Sequence, residues 1–401
     1  MAMSLEIKER RIKKETIKVK YCSYYLYAII SFILLSSGAL ADQDRKEKFT
    51  ATIDVVIADE DLPGLQYVVV DSTGIIFEFA GGLKNIANES PVTRETAFML
   101  NSSTKVFTAA ATLQLIGKGK IKLDQSLSHY FPDHPYGKEI TIQHLLNQTS
   151  GIPNPLPLKW FHTETLQENF NEDAELAKVL ADNNTLSFTP GEEYEYTNIS
   201  YWLLGKVIEK VSGESYCDYL RQFIFEPLAI KPDELSCVMP SENNLATGYQ
   251  KKYSFLSLFM YFAGASQIYG DSENGFLSFK RVYHSGPAYG GLYGTSRGVA
   301  KFLIDLLSDK PELFNAKTKD LFFAGQKTNS GEPIAMTLGW RTGNIDGLPY
   351  YEKVGGGPGS HSNIRIYPSL KIATTYLANK TQVQESPISE LSTLLDAPFI
   401  K

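Results

Sequence analysis

A serine and a lysine three residues apart, Ser102 and Lys105, stand at the start of an Ala-rich apolar run. Positions i and i+3 share one face of a helix, so the hydroxyl and the amine can meet. A serine hydroxyl needs a base before it attacks a carbonyl, and a lysine desolvated beside an apolar helix can serve as one. The pair therefore predicts nucleophilic catalysis, although the bare spacing also fits a helix-capping serine beside a surface lysine.

Two later motifs could complete such a site. Tyr196 and Asn198 place a phenol and a carboxamide two residues apart, on a loop ahead of a helix. Lys353 is followed by Val354 and then by three glycines, 355–357. Glycines let a substrate approach the backbone closely, so this segment suits a strand edge that lines an active site.

Taken in this order, the three motifs resemble those of the serine β-lactamases and penicillin-binding D-Ala-D-Ala peptidases. The resemblance points in particular to the class C-like branch, which also contains esterases and D-amino-acid peptidases. It extends from about residue 98 to residue 379 and includes further family landmarks at 144–152, 203–205, 224–228 and 290–293. It implies a serine hydrolase that forms an acyl-enzyme intermediate with an amide or an ester.

The resemblance also implies catalytic roles. Ser102 would attack the carbonyl and become acylated, and Lys105 would take or share its proton. Tyr196 would protonate the leaving atom and then activate the deacylating water. Lys353 would keep the local potential positive and so lower the pKa of Tyr196.

Substrate binding is assigned by the same resemblance. Asn198 would hydrogen-bond the amide side chain of the substrate, while Lys353 and Gly355 would line the binding site, with Lys353 attracting a carboxylate. The backbone N–H groups of Ser102 and Gly356 would form the oxyanion hole, where one donor contributes about 3 kcal/mol to lowering the barrier.

Three positions depart from the family pattern. Val354 stands where the family has a threonine, so the hydroxyl that helps to hold a substrate carboxylate is absent. Gln148 replaces a frequent histidine, and Ser360 replaces an aromatic residue. The substrate therefore stays open among a β-lactam, a D-Ala-D-Ala stem, another D-amino-acid peptide and a simple ester.

A rival motif of the form Gly-x-Ser-x-Gly surrounds Ser296, and Asp346 and His361 follow it in the order of an α/β-hydrolase. The segment before Ser296 does not resemble the buried parallel strand that such an elbow needs. Ser296 is also well placed to cap the helix 299–307.

A second alternative belongs to another class of protein. A non-catalytic protein could keep the same fold and use the cleft to bind a cell-wall peptide or a partner. Two lysines and a phenol around one serine argue against it, because binding alone has no evident need for them.

The helices and strands that the sequence predicts around these residues indicate an α/β (α+β) fold. Strand-like runs at 65–70 and 75–80 flank a turn, and runs at 336–340, 363–366 and 372–378 follow near the end. The helix 104–116 is apolar on nearly every face and should be buried. We expect an antiparallel sheet from 42–118 and 290–401, flanked by an N-terminal helix at 45–60 and a short C-terminal helix at 388–395, with an all-helical insertion at 119–289.

Residues 1–41 have the layout of a secretory signal peptide: a basic leader, an apolar run and a small-x-small end at Ala41. An uncleaved membrane anchor is the alternative, and both place the domain 42–401 outside the cytoplasm, as a periplasmic or secreted protein. Residues 1–41 carry seven Lys/Arg and three Asp/Glu, so without them the net charge changes from −6 to −10. So acidic a domain argues against nucleic acid as a partner, and we expect membrane contact only through the N-terminal segment.

Cysteine and histidine spacing gives no support for a metal site or another cofactor, since Cys-x-x-Cys and His-x-x-x-His are both absent. Cys217 and Cys237 could form a disulfide in an oxidising compartment or remain free thiols. The oligomeric state has no sequence signal.

Overall fold

The computed structural model describes residue 47 and residues 49–155, 160–262 and 265–400. The predicted signal segment 1–41 lies outside these residues. Within them, no helix has both the length and the hydropathy that crossing a bilayer requires. The described residues from Val56 onward form one compact unit.

Fifteen strands occur in the described residues. They are β1 Gly64–Asp71, β2 Gly74–Asn85, β3 Ser90–Pro91, β4 Phe98–Met99, β5 Phe161–Thr163, β6 Leu235–Ser236, β7 Tyr249–Lys251, β8 Tyr269–Glu273, β9 Phe276–Phe279, β10 Val282–His284, β11 Tyr293–Gly294, β12 Arg341–Ile345, β13 Leu348–Gly357, β14 Ser360–Tyr367 and β15 Ile372–Ala378.

The α-helices are α1 (residues 49–59), α2 Lys105–Gly117, α3 Ile142–Leu146, α4 Glu164–Gln167, α5 Glu172–Asp182, α6 Asn198–Ser212, α7 Tyr216–Leu220, α8 Phe255–Phe262, α9 Pro287–Gly290, α10 Ser296–Leu307, α11 Ala316–Phe323 and α12 Glu385–Ile400. Three 3-10 helices, Asn101–Thr104, Leu127–His129 and Ala265–Ile268, and a π-helical turn, Arg221–Phe225, complete the described elements.

A seven-stranded antiparallel sheet dominates the fold, in the order β12-β13-β14-β15-β1-β2-β3. Its first two strands pair as the sequence predicts, across a turn in which Asp71 accepts hydrogen bonds from Thr73 and Gly74. Helix α2 is buried from Lys105 to Leu115, as expected of a helix that is apolar all round. The mixed α/β fold with a large antiparallel sheet is confirmed.

The prediction that 119–289 is all helical is wrong. This segment also contains the paired strands β5 and β10 and the three-stranded sheet β7-β9-β8. It contributes β6 as well, which pairs with β11 in the three-stranded sheet β4-β11-β6. These strands are two to five residues long. Such short runs hold too few residues to show an alternating pattern in the sequence.

Two smaller predictions near the C-terminus also need correction. Residues 336–340 form a turn rather than a strand, because Gly339 has φ +126° and Thr337 and Trp340 hydrogen-bond each other. The last helix, expected at 388–395, extends over Glu385–Ile400. Its buried face includes Ile388, Leu391 and Leu395.

A disulfide joins Cys217 in α7 to Cys237 just after β6. The Cα atoms are 5.9 Å apart, within the range that a disulfide spans. Of the two alternatives left open by the sequence, the structure contains the bonded pair.

Candidate active site

Ser102 lies in a 3-10 turn between β4 and α2, and its side chain is half-buried. The preceding residue, Asn101, has φ +48°, a left-handed conformation that asparagine tolerates better than most residues. Its amide nitrogen donates to the Ser360 hydroxyl at 2.8 Å, and its Oδ1 accepts from His284 Nε2 at 3.1 Å. These contacts hold the turn that presents Ser102.

Lys105 enters the first turn of α2 with its side chain fully buried. Its Nζ donates to Ser102 Oγ at 3.0 Å, to Asn198 Oδ1 at 2.7 Å and to the Tyr289 carbonyl at 2.7 Å. The rings of Tyr196, Tyr201 and Tyr289 surround it, with centroids 4.9, 5.7 and 5.5 Å from Nζ. The amine therefore sits in an aromatic cage that opens toward the serine.

Tyr196 contacts the same serine from the other side. Its phenol donates to Ser102 Oγ at 2.6 Å. The loop is fixed by the next residue, because Thr197 N donates to Gln148 Oε1 at 2.8 Å and Thr197 Oγ1 caps α6 by accepting from Ile199 N. Gln148, noted in the sequence as a departure, thus anchors the tyrosine loop.

Strand β13 forms the third wall. Lys353 lies within this strand, and its Nζ is 4.9 Å from the centroid of the Tyr196 ring. The pairing of β12 with β13 ends at Glu352, so the edge from Lys353 to Gly357 has no strand partner on that side among the described residues. An extended substrate could pair with this edge.

Glycine is required where β13 meets the nucleophile turn. A Cβ atom on Gly355 would lie 2.2 Å from the Leu100 carbonyl oxygen, and one on Gly357 would lie 2.4 Å from Asn101 Oδ1. A Cβ atom on Gly356 would instead meet the segment after β15, at 2.1 Å from the Gln382 carbonyl oxygen. Ser362, opposite Gly355 in β14, donates to Leu100 O at 2.8 Å. The strand can thus pack directly against the turn that holds Ser102.

Burial sets the protonation of the two lysines. It lowers the pKa of Lys105 well below the usual 10.5, and the charge of Lys353 lowers it further. Burial also lowers the pKa of Lys353, to about 8, against the opposing effect of Glu385. Both amines therefore lose their protons far more readily than an exposed lysine does.

The expected lowering of the Tyr196 pKa is wrong. Burial raises the pKa of Tyr196 above its usual value of 10.0, and this outweighs the opposing effect of its hydrogen bond to Ser102. The phenol is therefore neutral and acts as a hydrogen-bond donor.

The structure brings Ser102, Lys105, Tyr196 and Asn198 into one hydrogen-bonded cluster. Lys353 joins it through the Tyr196 ring, and Gly355 and Gly356 lie along the adjacent strand. Sequence reasoning missed the Tyr289 carbonyl and the Asn101 anchor. The landmark at 290–293 directly follows Tyr289 in the sequence. The acceptor is a backbone carbonyl, which every residue type has, so the sequence could not identify it.

The rival motif is not assembled into a triad. Ser296 is buried at the start of α10, and its N–H donates to Gln66 Oε1. Thr295, rather than Ser296, caps this helix. His361 Nδ1 donates to the Lys380 carbonyl, and Asp346 lies in the turn between β12 and β13.

In the part of the chain that the structure describes, no cluster of three metal-ligating side chains occurs.

The family model that matches residues 49–396 is described as Beta-lactamase. Penicillin-binding protein 4* of Bacillus subtilis is 25% identical over 355 residues, which are 86% of this chain and 74% of that protein. Protein flp of Staphylococcus aureus is 27% identical over 212 residues, which cover 52% of this chain but only 42% of that protein.

Solved structures show the same fold. A penicillin-binding protein homologue from Pyrococcus abyssi superimposes with a TM-score of 0.70 at 23% identity, covering 88% of this chain and 77% of that one. A D-amino acid amidase from Ochrobactrum anthropi gives 0.68 at 20% identity, covering 88% and 98%. A class C beta-lactamase gives 0.68 at 19% identity, covering 90% and 98%. Since the family model spans most of the chain, the protein belongs to the beta-lactamase family.

Proposed function

We propose that this protein is a serine hydrolase that forms an acyl-enzyme on Ser102, with Lys105 as the base. The observation that carries the proposal is the double contact to one oxygen: Ser102 Oγ lies 3.0 Å from Lys105 Nζ and 2.6 Å from Tyr196 Oη. Membership of the beta-lactamase family supports the same chemistry.

Two protonation states of Lys105 fit its surroundings. As an ammonium, it donates to all three of its acceptors. As a neutral amine, it keeps two donors for Asn198 and the Tyr289 carbonyl and offers its lone pair to the hydroxyl of Ser102. Loss of one proton therefore converts the lysine into a base without moving its chain.

Acylation follows from this state. Ser102 Oγ bonds to the substrate carbonyl carbon as its proton passes to Lys105, and the N–H groups of Ser102 and Gly356 would stabilise the oxyanion. The neutral phenol of Tyr196 then protonates the leaving nitrogen or oxygen as the carbonyl bond to it breaks. This step leaves Lys105 as an ammonium and Tyr196 as a phenolate, both beside Asn198 Oδ1. Transfer of one proton from the ammonium to the phenolate restores the two groups.

Deacylation reverses these steps with water in place of the leaving group. The same lysine and tyrosine would remove a proton from water as it attacks the ester carbonyl, and Ser102 would regain its proton. No further titratable group is needed.

The substrate class is an amide or ester: a β-lactam, a D-Ala-D-Ala-type peptide or a carboxylic ester. Lys353 could attract a substrate carboxylate, while Val354 lacks the hydroxyl that would help to hold it. Related proteins named as a penicillin-binding protein and a D-amino acid amidase support this range. We further propose export to the periplasm or the exterior, guided by residues 1–41.

Covalent labelling tests the proposal. We expect a fluorophosphonate to add one adduct to the full-length protein, mapped to Ser102 by peptide mass spectrometry. Ser102→Ala should abolish the adduct, while Ser296→Ala should keep it and full activity. Absence of any adduct and of turnover would favour the binding-protein alternative.

Turnover assays then narrow the substrate. A chromogenic cephalosporin, a D-Ala-D-Ala peptide and a short-chain nitrophenyl ester should be compared with the same preparation. Ester turnover with no acylation by a fluorescent penicillin would assign the protein to the esterase branch.

A further inference from the structure

Helix α8 and the turn before it direct large apolar side chains into solvent. Tyr253 is 88% exposed, Phe255 86% and Leu258 57%. We call these three residues the apolar tip. They expose roughly 400–500 Å² of side chain, at about 150–250 Å² for an aromatic residue, and a contiguous apolar patch of this size is typical of a surface that binds a partner or a membrane.

The polar groups of the same turn point inward and are hydrogen-bonded. Ser254 Oγ accepts from Ser257 N at 3.1 Å, and both serine hydroxyls donate to the Lys251 carbonyl. The Lys252 N–H donates to the Gly275 carbonyl at 2.9 Å. These groups are therefore satisfied within the protein, which is what apolar surroundings require of a polypeptide.

The inner side of α8 is packed on the body of the protein. Leu256 contacts an apolar cluster that includes Met99, Phe279 and Tyr293. Met99 precedes Ser102 by three residues. The apolar tip is thus supported from below by residues that also lie beside the nucleophile turn.

Two lysines adjoin the apolar tip. Lys252 Nζ lies 5.5 Å from the centroid of the Tyr253 ring, and Lys251 pairs with Asp61. Tyrosine and lysine beside an apolar surface are typical of the membrane–water interface, because the ring or the hydrocarbon stem lies in the apolar layer while the polar end reaches the headgroups.

The N-terminal segment joins the compact unit near the same place. The unit begins at Val56, and Asp61, close to that start, forms its ion pair with Lys251, two residues before Tyr253. Export of the chain, as proposed, brings residues 1–41 to a membrane. The apolar tip therefore lies on the part of the unit that follows the membrane-directed segment.

The area of the apolar tip distinguishes between the possible occupants. A stable interface between proteins takes roughly 800 Å² from each partner, and the tip offers little more than half of that. A lipid bilayer needs no complementary surface, so a few exposed aromatic and aliphatic side chains suffice for reversible docking.

We propose that the apolar tip docks this protein on a lipid bilayer. Tyr253, Phe255 and Leu258 enter the boundary between headgroups and acyl chains, and Lys252 lies at the level of the headgroups. The docking concerns where the protein acts and does not require acylation of Ser102.

Quenching by brominated lipid tests the proposal in the full-length protein. Phe255→Trp places an indole on the apolar tip, while the native Trp160, Trp202 and Trp340 are all buried. The vesicles contain phosphatidylcholine and a minority of phosphatidylglycerol, with or without bromine on the acyl chains. We expect bromine to reduce the emission of the added tryptophan by about half or more, since the apolar face of an interfacial helix lies about 5–10 Å deep.

Matched variants separate the apolar tip from other exposed apolar residues. Leu394→Trp places an indole on the exposed side of α12 and should keep its emission. Tyr253→Ser with Leu258→Ser, added to Phe255→Trp, should remove most of the quenching, because most of the inserted apolar area is lost. Ile75→Ser with Ile76→Ser, which alters two exposed residues of β2, should leave the quenching unchanged.

Three results would overturn the inference. Sedimentation with vesicles without quenching at residue 255 would show that residues 1–41 alone hold the chain. Quenching that persists in the serine variants of the apolar tip would assign it to another surface. A blue shift at residue 255 that needs no vesicles and grows with protein concentration would identify a second copy as the occupant. Covalent labelling of Ser102 is independent of all three, so failure here leaves the proposed function standing.

Discussion

Glu352 and Lys353 are neighbours in β13, both buried, and their side chains point to opposite faces of the sheet. On the Glu352 face, every charge is matched. The carboxylate accepts from Arg365 Nε at 2.8 Å and from Asn363 at 2.7 Å, and it also pairs with Arg341. Burial alone would raise the pKa of Glu352, but the charges of Arg365 and Arg341 hold it below 4.5.

On the Lys353 face, the charges are not matched. The ion pairs of this part of the sheet go to Glu352, Glu385 and Asp396, and none joins Lys105 or Lys353 to a carboxylate among the described residues. Aromatic rings and neutral oxygens surround the two lysines instead. Burial lowers both lysine pKa values, and at Lys353 the charge of Glu385 opposes this lowering only in part.

The difference separates a structural polar cluster from a reactive one. A matched cluster holds its charges fixed over a wide pH range and stabilises one arrangement of strand and helix. An unmatched cluster keeps its lysines close to losing a proton, which is what a base must do. Burial alone does not distinguish the two; the presence of counter-charges does.

Removal of the buried base should have the largest effect. We expect Lys105→Met to lower kcat/KM by about a hundredfold to ten-thousandfold, because Ser102 loses its proton acceptor. The free energy of unfolding should change by less than about 1 kcal/mol, since relief of a buried ammonium offsets the lost hydrogen bonds. Steady-state kinetics and denaturant unfolding measure the two quantities. A large loss of stability with little loss of rate would make Lys105 a structural residue.

The matched cluster should respond in the opposite way. Glu352→Gln removes the buried carboxylate that contacts both Arg341 and Arg365, and the fully buried Arg365 keeps only Asp396, at 3.8 Å. We therefore expect the free energy of unfolding to fall by about 3–5 kcal/mol. In the unmodified protein, this stabilisation is present above the ordinary glutamate pKa and is lost as the pH falls through the lower folded value. Urea unfolding measures the change, with the exposed Glu332→Gln as control. Equal free energies of unfolding for Glu352→Gln and Glu332→Gln would contradict the proposed difference between the two faces of β13.

Local patterns predicted much of this arrangement. The i, i+3 spacing of Ser102 and Lys105 places them together on a helical turn, and the continuous apolar run of α2 requires its burial. Strands β1 and β15 are long enough for their runs of β-branched and apolar residues to be recognised as strands in the sequence. These features depend on neighbouring residues and are therefore visible in the sequence.

Other features depend on distant contacts. The cage around Lys105 combines rings from residues 196, 201 and 289, and the Tyr289 contribution to the hydrogen bonds is a backbone carbonyl. The raised pKa of Tyr196 comes from burial by the assembled fold. The left-handed Asn101 is stable because Ser360 and His284 bind its side chain across the site. No local pattern could specify these partners.

The smallest expected effect concerns the coupling between the two lysines. Because the charge of Lys353 helps to lower the pKa of Lys105, Lys353→Met should raise that pKa, and the acidic limb of the kcat/KM profile should move to higher pH. With a neutral nitrophenyl ester, we expect a rate roughly threefold to tenfold lower on that limb. Lys353→Arg keeps the charge and should leave the limb in place. An acidic limb that stays fixed in Lys353→Met would show that burial alone controls Lys105.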